Sequence, residues 1–201
     1  MKLAKILLAG SLVASCAFAE GAFVGIEGGY SFKNKVESEY YEADDKSGFV
    51  GIKGGYDFGN YRAFAQYNYN TEASVKDNID LSEFGAGISM DGESKWTSHE
   101  LLLEVDFTPR LSDSGLKFVV GPYFGLGVIK VKEEGEITNG TLSESYSEST
   151  TATGFVLGGR VGMAYDFGTG EFEAGVKADK AWYKDVDANK YGAYLGYNFK
   201  F

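Results

Sequence analysis

Cysteine is almost absent from this sequence, and Cys16, the only one, lies in the N-terminal segment. The rest of the chain therefore cannot form a disulfide, although exported domains of this size often depend on them. Histidine is equally scarce, since His99 is the only one. Any chemistry that requires histidine has a single possible centre.

Long hydrophobic runs and an excess of positive charge are also missing. Beyond the N-terminal segment, no window of about eighteen residues is apolar throughout, so the sequence predicts no transmembrane helix. The chain has 19 Lys and Arg residues against 29 Asp and Glu residues, for a formal net charge of −10. Such an acidic chain is a poor ligand for nucleic acid, which binds proteins through neutralised phosphates.

The N-terminal segment has the composition of a secretory signal peptide. Lys2 and Lys5 precede the apolar run 6–14, and the small-residue sequence AFA follows at 17–19. This order predicts a cleavable signal peptide over residues 1–19.

Cleavage at the signal would leave residues 20–201 as one domain. An alternative is lipoprotein processing at Cys16, but strand-like sequence begins by Ala22. That leaves no room for the flexible tether that usually follows a lipidated cysteine, so we favour the ordinary signal peptide.

The remaining chain alternates with a period of two residues, which is typical of β-strands. The clearest case is a near-repeat: residues 23–32 (FVGIEGGYSF) recur as residues 49–58 (FVGIKGGYDF). In both copies we predict one face of Val, Ile, Tyr and Phe, and an opposite face of glycine with one charge, Glu27 or Lys53.

The same alternation continues to residue 201 and predicts eight strands of about ten or more residues, the length needed by a tilted barrel wall. We place them near 22–33, 48–58, 61–71, 96–107, 116–131, 153–167, 171–182 and 190–201.

The connections between these strands alternate in length. Segments 34–47, 72–95 and 132–152 are long, polar and acidic, segment 183–189 is of moderate length, and those between are short. This predicts short periplasmic turns and long extracellular loops. Segment 81–90 could be a further strand, but alone it would make the strand number odd, so we assign it to the second loop and keep ten strands as the alternative.

Most aromatic side chains share the apolar face, and their volume exceeds what the interior of an eight-stranded barrel can hold. We therefore expect this face to meet lipid, with aromatic girdles at both membrane surfaces. The girdle beside the short turns comprises Tyr56, Phe58, Tyr61, Phe107, Phe167, Phe172, Phe199 and Phe201. The other comprises Tyr30, Phe32, Tyr67, Tyr69, Trp96, Trp182 and Tyr191.

Two segments carry a family resemblance. Residues 191–201 (YGAYLGYNFKF) end in phenylalanine preceded by aromatics at alternate positions, and residues 121–127 (GPYFGLG) form a glycine-rich strand. Over nearly the whole mature chain, the sequence resembles the small eight-stranded outer-membrane β-barrels, the OmpA/OmpX and opacity-type group. The resemblance implies an all-β, antiparallel, up-and-down transmembrane barrel in the outer membrane of a Gram-negative bacterium.

The resemblance also implies partners. The C-terminal strand, with Tyr197, Phe199 and Phe201, would be the signal recognised by the barrel-assembly machinery. Outer-membrane lipid and lipopolysaccharide would surround a monomeric barrel.

Charged residues on the inward face are the main site candidates. We expect them to form an ion-pair network that closes the lumen, in which Arg160 and Lys177 pair with Glu27 and Glu104. The candidate residues are Glu27, Lys53, Arg62, Glu104, Arg160, Glu173 and Lys177. The alternative is a narrow, cation-preferring channel lined by the same charges.

Catalysis has little support in the sequence. Ser98, His99 and Glu100 are adjacent, but neighbours in a strand face opposite sides and cannot form a triad. The His-x-Ser pattern of lipid A deacylases, which are barrels of similar size, is absent, so a lipid-modifying enzyme is a remote alternative. We predict no catalytic residue, cofactor or metal site.

The acidic connections suggest a function at the cell surface. We predict a structural or adhesin-like role, with a host or cell-surface ligand contacted by the aromatic residues Tyr40, Tyr41 and Tyr146 in the loops.

Overall fold

The computed structural model describes residues 21–37, 42–80, 88–139, 142–184 and 186–201, which form one closed barrel of eight antiparallel strands. The strands are β1 (Ala22–Glu37), β2 (Glu42–Asp57), β3 (Tyr61–Asp80), β4 (Ile88–Phe107), β5 (Leu116–Asn139), β6 (Leu142–Asp166), β7 (Gly170–Tyr183) and β8 (Val186–Lys200). The predicted all-β, eight-stranded architecture is thereby confirmed. The predicted signal peptide and most of segment 81–90 lie outside the described residues.

Helices do not contribute a membrane span: within the described ranges, none has the length and apolar character that a crossing requires.

The barrel closes between β1 and β8, from the pair Phe23 and Lys200 to the pair Glu37 and Asp187. Residues that face each other around the whole wall run Gly25, Lys53, Gln66, Leu102, Gly125, Val156, Ala181, Ala188 and Val36. One circuit thus returns to β1 eleven residues beyond its start, partly because β1 has an irregularity after Ser31. This offset requires the strands to tilt strongly against the barrel axis.

Both ends of the described chain lie at one end of the barrel, which we call the turn end. Each connection between strands there contains a glycine with positive φ. Gly59, Gly115 and Gly168 have φ of 94°, 90° and 90°, values that strain any residue with a Cβ atom. Asp57 and Asp166 support two of these turns by accepting hydrogen bonds of 2.8 Å from the backbone N–H groups of Gly59 and Gly168.

The apolar face points outward, as predicted. Ile52, Leu101 and Leu195 are 64%, 58% and 70% exposed when no lipid covers them. Trp96 is an exception to the predicted girdle, because it is only 4% exposed and lies inside. It has the same strand parity as Ser98 and Glu100, both of which face the lumen.

The inner face is more aromatic than predicted. Phe23 and Phe49, which begin the two copies of the repeat, are buried in the lumen, on the face that was predicted to carry glycine and one charge. Tyr123 and Tyr194 are buried there as well, at 2% exposure each.

Strands β3 to β6 extend far beyond their predicted ends. β5 and β6 have 24 and 25 residues, whereas β7 and β8 have 14 and 15. The hydrophobic alternation ends where the wall leaves lipid, but the backbone ladder continues through Ser, Thr and Glu residues. We call this extension, residues 72–80, 88–95, 132–139 and 142–152, the protruding sheet.

Candidate functional site

Glycine on the inward face makes room for the bulky side chains of the lumen. A Cβ atom on Gly29 would lie 2.3 Å from Cε1 of Phe49, and one on Gly158 would lie 2.4 Å from Cε2 of Tyr123. Each aromatic ring therefore lies flat against the wall across from a glycine. This leaves the lumen centre to longer, charged side chains.

Arg160 on β6 is the centre of what we call the lower lumen cluster. Its Nη1 atom lies 3.0 Å from Oε2 of Glu27 and 2.9 Å from Oε1 of Glu173. The same guanidinium also contacts Asp106 and forms a close ion pair with Glu104. All five side chains are at most 3% exposed.

Arg62 and Lys53 complete the cluster from the opposite wall. Arg62 donates to Asp106 at 2.8 Å, to Glu171 at 2.6 Å and to Glu173 at 2.7 Å, each through a different nitrogen. Lys53 Nζ lies 3.2 Å from Glu27 Oε2 and 3.3 Å from Glu173 Oε2. The lower lumen cluster thus comprises Glu27, Lys53, Arg62, Glu104, Asp106, Arg160, Glu171 and Glu173.

A second layer of ion pairs lies beneath it, at the turn end of the barrel. Lys117 Nζ lies 2.9 Å from Glu171, 3.2 Å from Asp166 and 3.4 Å from Asp57. Lys200 contacts the same three carboxylates at 3.3, 2.6 and 3.5 Å. Glu171 therefore connects this layer with Arg62 above it.

Aromatic rings pack under the cations of the lower cluster. The centroid of the buried Phe64 ring lies 5.0 Å from Arg160 Cζ, 5.7 Å from Arg62 Cζ and 5.5 Å from Lys53 Nζ. Phe23 contacts this ring edge-on, with the centroids 5.7 Å apart. Cation–π contacts add to the ion pairs where water is excluded.

A smaller group of charges, the upper lumen cluster, lies closer to the extracellular mouth. Lys190 makes a close ion pair with Glu100 and lies 3.3 Å from Oδ1 of Asp179. The hydroxyl of Tyr123 donates to the other oxygen of Asp179 at 3.0 Å. Lys177 lies between the two clusters, 3.4 Å from Glu27 and 3.8 Å from the centroid of the Phe49 ring.

The seven charged residues that we predicted from the sequence all face the lumen. The structure brings Glu27, Glu104 and Glu173 together around Arg160. Lys177 meets Glu27 as well. Sequence reasoning missed Glu171 and Lys190, although each has the inward parity of its strand and could have been found from that signal.

The adjacent Ser98, His99 and Glu100 are separated by the wall. Ser98 and Glu100 are buried inside, whereas His99 is exposed outside, where its Nδ1 atom lies 2.6 Å from the hydroxyl of Tyr67. No serine–histidine–carboxylate arrangement can form from these three residues. Over the residues that the structure describes, no three His, Cys, Asp or Glu side chains are placed to hold a metal ion.

The protruding sheet has two edges of different character. On β3, the backbone N–H of Ser74 donates to Asp45 at 2.9 Å, so a side chain of β2 covers part of this edge. On β6, residues 142–153 pair with β5 alone within the described chain, because the ladder with β7 begins at Gly154. Among the residues that the structure describes, this β6 edge therefore has no neighbouring strand, and its backbone groups face solvent.

The side chains of the protruding sheet are mainly polar and acidic. Tyr146 on β6 is 48% exposed, and its ring lies within 2.5 Å of where a Cβ atom on Gly135 would be. Glu134 accepts hydrogen bonds from Lys132 and Lys95, and these contacts lower the pKa of its carboxyl below the usual range. These groups lie beyond the membrane-spanning part of the wall.

Comparison with known proteins gives one family. The model of the family described as "Outer membrane protein beta-barrel domain" matches residues 6–199. A search of curated proteins finds no significant match.

Several solved structures have a similar fold at low sequence identity. Ail of Yersinia pestis, in complex with the heparin analogue sucrose octasulfate, superposes with a TM-score of 0.54 at 18% identity, covering 90% of this chain and 100% of that one. Neisserial surface protein A gives 0.49 at 18% identity, covering 90% and 98%. OprH of P. aeruginosa gives 0.49 at 18%, covering 90% and 99%.

Proposed function

This chain belongs to the outer membrane protein β-barrel family, and on that premise we propose a non-enzymatic barrel that is closed inside and makes contacts with partners outside. The closed lumen and the protruding sheet support the two halves of the proposal separately. Each half has its own test.

The lower lumen cluster supports a closed lumen. Lys53, Arg62 and Arg160 approach from different strands and all contact Glu173, with every side chain at most 3% exposed. Lys53 and Arg160 also contact Glu27. An ion path through this level would have to break several charge-assisted hydrogen bonds at once. The proposed resting state is therefore a plug and not a pore.

Single-channel recording tests the plug. Mature protein, shown to be folded by its heat-dependent gel mobility, is inserted into a planar bilayer, and we expect no conductance steps. Steady, cation-selective steps would overturn the closed lumen and favour the channel instead. Arg160→Gln is the positive control. Removing the central cation should open the lumen intermittently, and the resulting currents would show that the assay can detect an ion path through this barrel.

The unpaired edge of β6 supports a surface-interaction role. A strand with free N–H and C=O groups can accept an extended segment of a partner as a further strand. Tyr146 is an exposed aromatic on this strand, and such residues contribute strongly to interfaces. Tyr40 and Tyr41, the other predicted contact residues, lie outside the described residues.

The charge of the protruding sheet limits the ligand. Asp91, Glu136, Glu144 and Glu148 are distributed over its outer part, and Asp91 lies directly opposite Glu136. Ail was solved with a polysulfated ligand, but a sulfated glycan would be repelled by these carboxylates. We propose a neutral or basic partner for this sheet.

Shortening of hairpins tests the contact role. Replacing residues 134–147 by Asn-Gly joins the paired positions Glu133 and Glu148 in a two-residue turn and removes the outer β6 edge. We expect bacteria that express this variant to lose adhesion to cultured host cells. The matched control replaces residues 77–92 of the β3–β4 hairpin, joins Lys76 to Glu93 in the same way, and should retain adhesion.

Loss of adhesion in both variants to the same degree would show that sheet height alone matters. Unchanged adhesion in both, with normal surface expression, would overturn the role.

Assembly in the outer membrane is a further part of the proposal. Tyr197, Phe199 and Phe201 lie on the outer face beside the closing seam, where the Phe201 N–H donates to Ala22 O at 3.0 Å. We propose that the barrel-assembly machinery recognises this strand before the seam with β1 closes. Replacing Phe201 by Ala should reduce the amount of folded barrel in outer-membrane fractions while leaving refolding in detergent unchanged.

A further inference from the structure

Lysine is distributed unevenly over the outside of the barrel. In the described residues, outward-facing lysines occur only towards the extracellular end, whereas Arg110 is the outward cation at the turn end. These lysines are Lys33, Lys35, Lys46, Lys76, Lys95, Lys130, Lys132, Lys180 and Lys184. The asymmetry is unexpected in a chain with a net charge of −10.

The lysines begin where the lipid-facing stripe ends. On β5, the outward positions run through Phe124, Leu126 and Val128, which are 49%, 60% and 38% exposed, and then reach Lys130 and Lys132. The neighbouring strands change in the same rows, since His99 and Thr153 lie opposite Val128. Lys130 is therefore placed at the level of the lipid head groups, one row beyond the hydrocarbon boundary.

Hydroxyl groups lie on both sides of Lys130 and on one side of Lys132. Thr97 on β4 and Thr151 on β6 lie directly opposite Lys130, and in the next row Lys95 and Ser149 lie opposite Lys132. Paired residues of a sheet point to the same side, so all six project outward together. We call this group of three cations and three hydroxyls the β4–β6 patch; it comprises Lys95, Thr97, Lys130, Lys132, Ser149 and Thr151.

The charges within the patch are only partly compensated. Lys95 and Lys132 lie directly opposite each other, an arrangement that costs free energy in a sheet unless an anion bridges it. Glu134 supplies such an anion at the upper border of the patch, where it contacts both lysines, and Glu93 pairs with Lys95 at 3.0 Å. Lys130, at the lower border, is exposed and has no carboxylate at ion-pair distance among the described residues.

We infer that the β4–β6 patch binds the phosphate group of a lipid in the outer leaflet. Ammonium groups supply the charge, and Thr97 and Thr151 supply neutral donors on either side of Lys130. The acyl chains of the same lipid would then lie along Val128, Leu126 and Phe155 below. The inference rests on insertion in the outer membrane and is independent of the closed lumen and of the adhesion role.

The position of the patch favours a membrane lipid over a soluble polyanion. A soluble ligand would have to approach past the acidic outer rows of the same sheet face, where Glu93 lies opposite Glu134 and Asp91 lies opposite Glu136. A lipid already in the leaflet reaches Lys130 from below. The acidic rows thus repel an anionic ligand that arrives from solvent, whereas the lysines remain accessible to an anionic lipid that arrives from the leaflet.

Native mass spectrometry of the folded mature protein in detergent micelles tests the inference. Bisphosphorylated lipid A is titrated against the wild-type chain and the double variant K130Q/K132Q. Each lysine near an anionic lipid surface contributes about 1 kcal/mol, so we expect binding by the double variant to be weaker by roughly tenfold or more. Lipid A with its phosphates removed should bind both proteins equally weakly.

The matched control is K33Q/K46Q, which removes two exposed outward lysines on β1 and β2, away from the patch. This control should retain wild-type affinity for the phosphorylated lipid. An equal loss in both double variants would overturn the inference in favour of diffuse charge attraction. Saturation of the patch by inorganic phosphate or by sucrose octasulfate at the same concentration would overturn the commitment to a lipid.

Discussion

The lower lumen cluster and the protruding sheet are built from the same residue types, but they use charge in opposite ways. In the lumen, Arg160 and Arg62 each contact three or more carboxylates with almost no exposure to solvent. In the sheet, Lys132 is 45% exposed, and Glu134 is its one ion-pair partner among the described residues. A buried ion pair is costly to break because the remaining partner stays desolvated, whereas an exposed one is screened by water.

This difference separates stability from recognition within one chain. We expect substitutions in the lumen to lower the free energy of unfolding, and substitutions in the sheet to change binding while leaving the barrel intact. Four predictions test this separation, from the largest expected effect to the smallest.

Arg160→Ala should have the largest effect. It leaves four carboxylates near one another without their central cation, and breaking a buried pair in this way costs about 3–5 kcal/mol. Urea unfolding in lipid vesicles, followed by gel mobility, measures the loss. Arg160→Lys, which keeps the charge, should retain part of the stability; equal losses in the two variants would show that guanidinium geometry outweighs charge.

Trp96→Ala tests the boundary between the two regions. The indole is buried at the barrel mouth in an apolar cluster with Ala73, and Val131 packs against this cluster. Its removal should therefore cost about 3 kcal/mol, as for other large-to-small changes in a packed core. Trp182→Ala, on the lipid face of β7, is the control and should cost clearly less in the same assay.

Gly125→Ala tests the close approach of strands around the lumen. A Cβ atom there would lie 2.0 Å from the carbonyl oxygen of Leu101, so the wall must shift, at a cost of about 2 kcal/mol. At Gly159, the nearest atom to a new Cβ lies at 3.5 Å. Gly159→Ala should leave the unfolding midpoint unchanged, and an equal shift in both variants would contradict the steric account.

Glu134→Gln should have the smallest effect on unfolding. The pKa of this carboxyl is lowered in the folded state by hydrogen bonds from Lys132 and Lys95. Its contribution to stability is therefore present above the pKa of the unfolded chain and is lost as pH falls through the lower folded value. Because the group is exposed, we expect the unfolding midpoint of wild type and of the variant to stay constant between pH 5 and pH 8. A pH-dependent difference in this range would show that the sheet contributes to barrel stability.

The sequence alone predicts most of the wall and little of the sheet. Inward and outward faces follow from parity, so Glu27, Lys53 and Arg160 could be placed in the lumen without coordinates. Which carboxylate meets which cation depends on strand register and tilt, and these follow from pairings between distant segments. The contacts of Arg62 with Glu171 and Glu173 depend on register in this way and could not be predicted from the sequence.

The errors at the extracellular end have physical causes. Polar residues on both faces carry no alternation, so segments 132–139 and 142–152 could not be distinguished from loops, although they continue the ladder. On β3, the register with β4 shifts between Asn70 and Ala73 and reverses which positions face inward. Trp96 is a different case: its aromatic character predicts a place in the outer girdle, whereas the parity that it shares with Ser98 predicts the lumen, and parity proves correct.

The unequal height of the wall gives this barrel a front and a back. β7 and β8 end soon after leaving the bilayer, whereas β5 and β6 continue for about ten residues more. A molecule that travels along the membrane surface can therefore approach the barrel mouth over the low side and is screened from it on the high side. Neighbouring proteins can likewise contact β7 and β8 closely but are kept further away on the side of β5 and β6. Rotation of the barrel about the membrane normal therefore changes which neighbours it can contact.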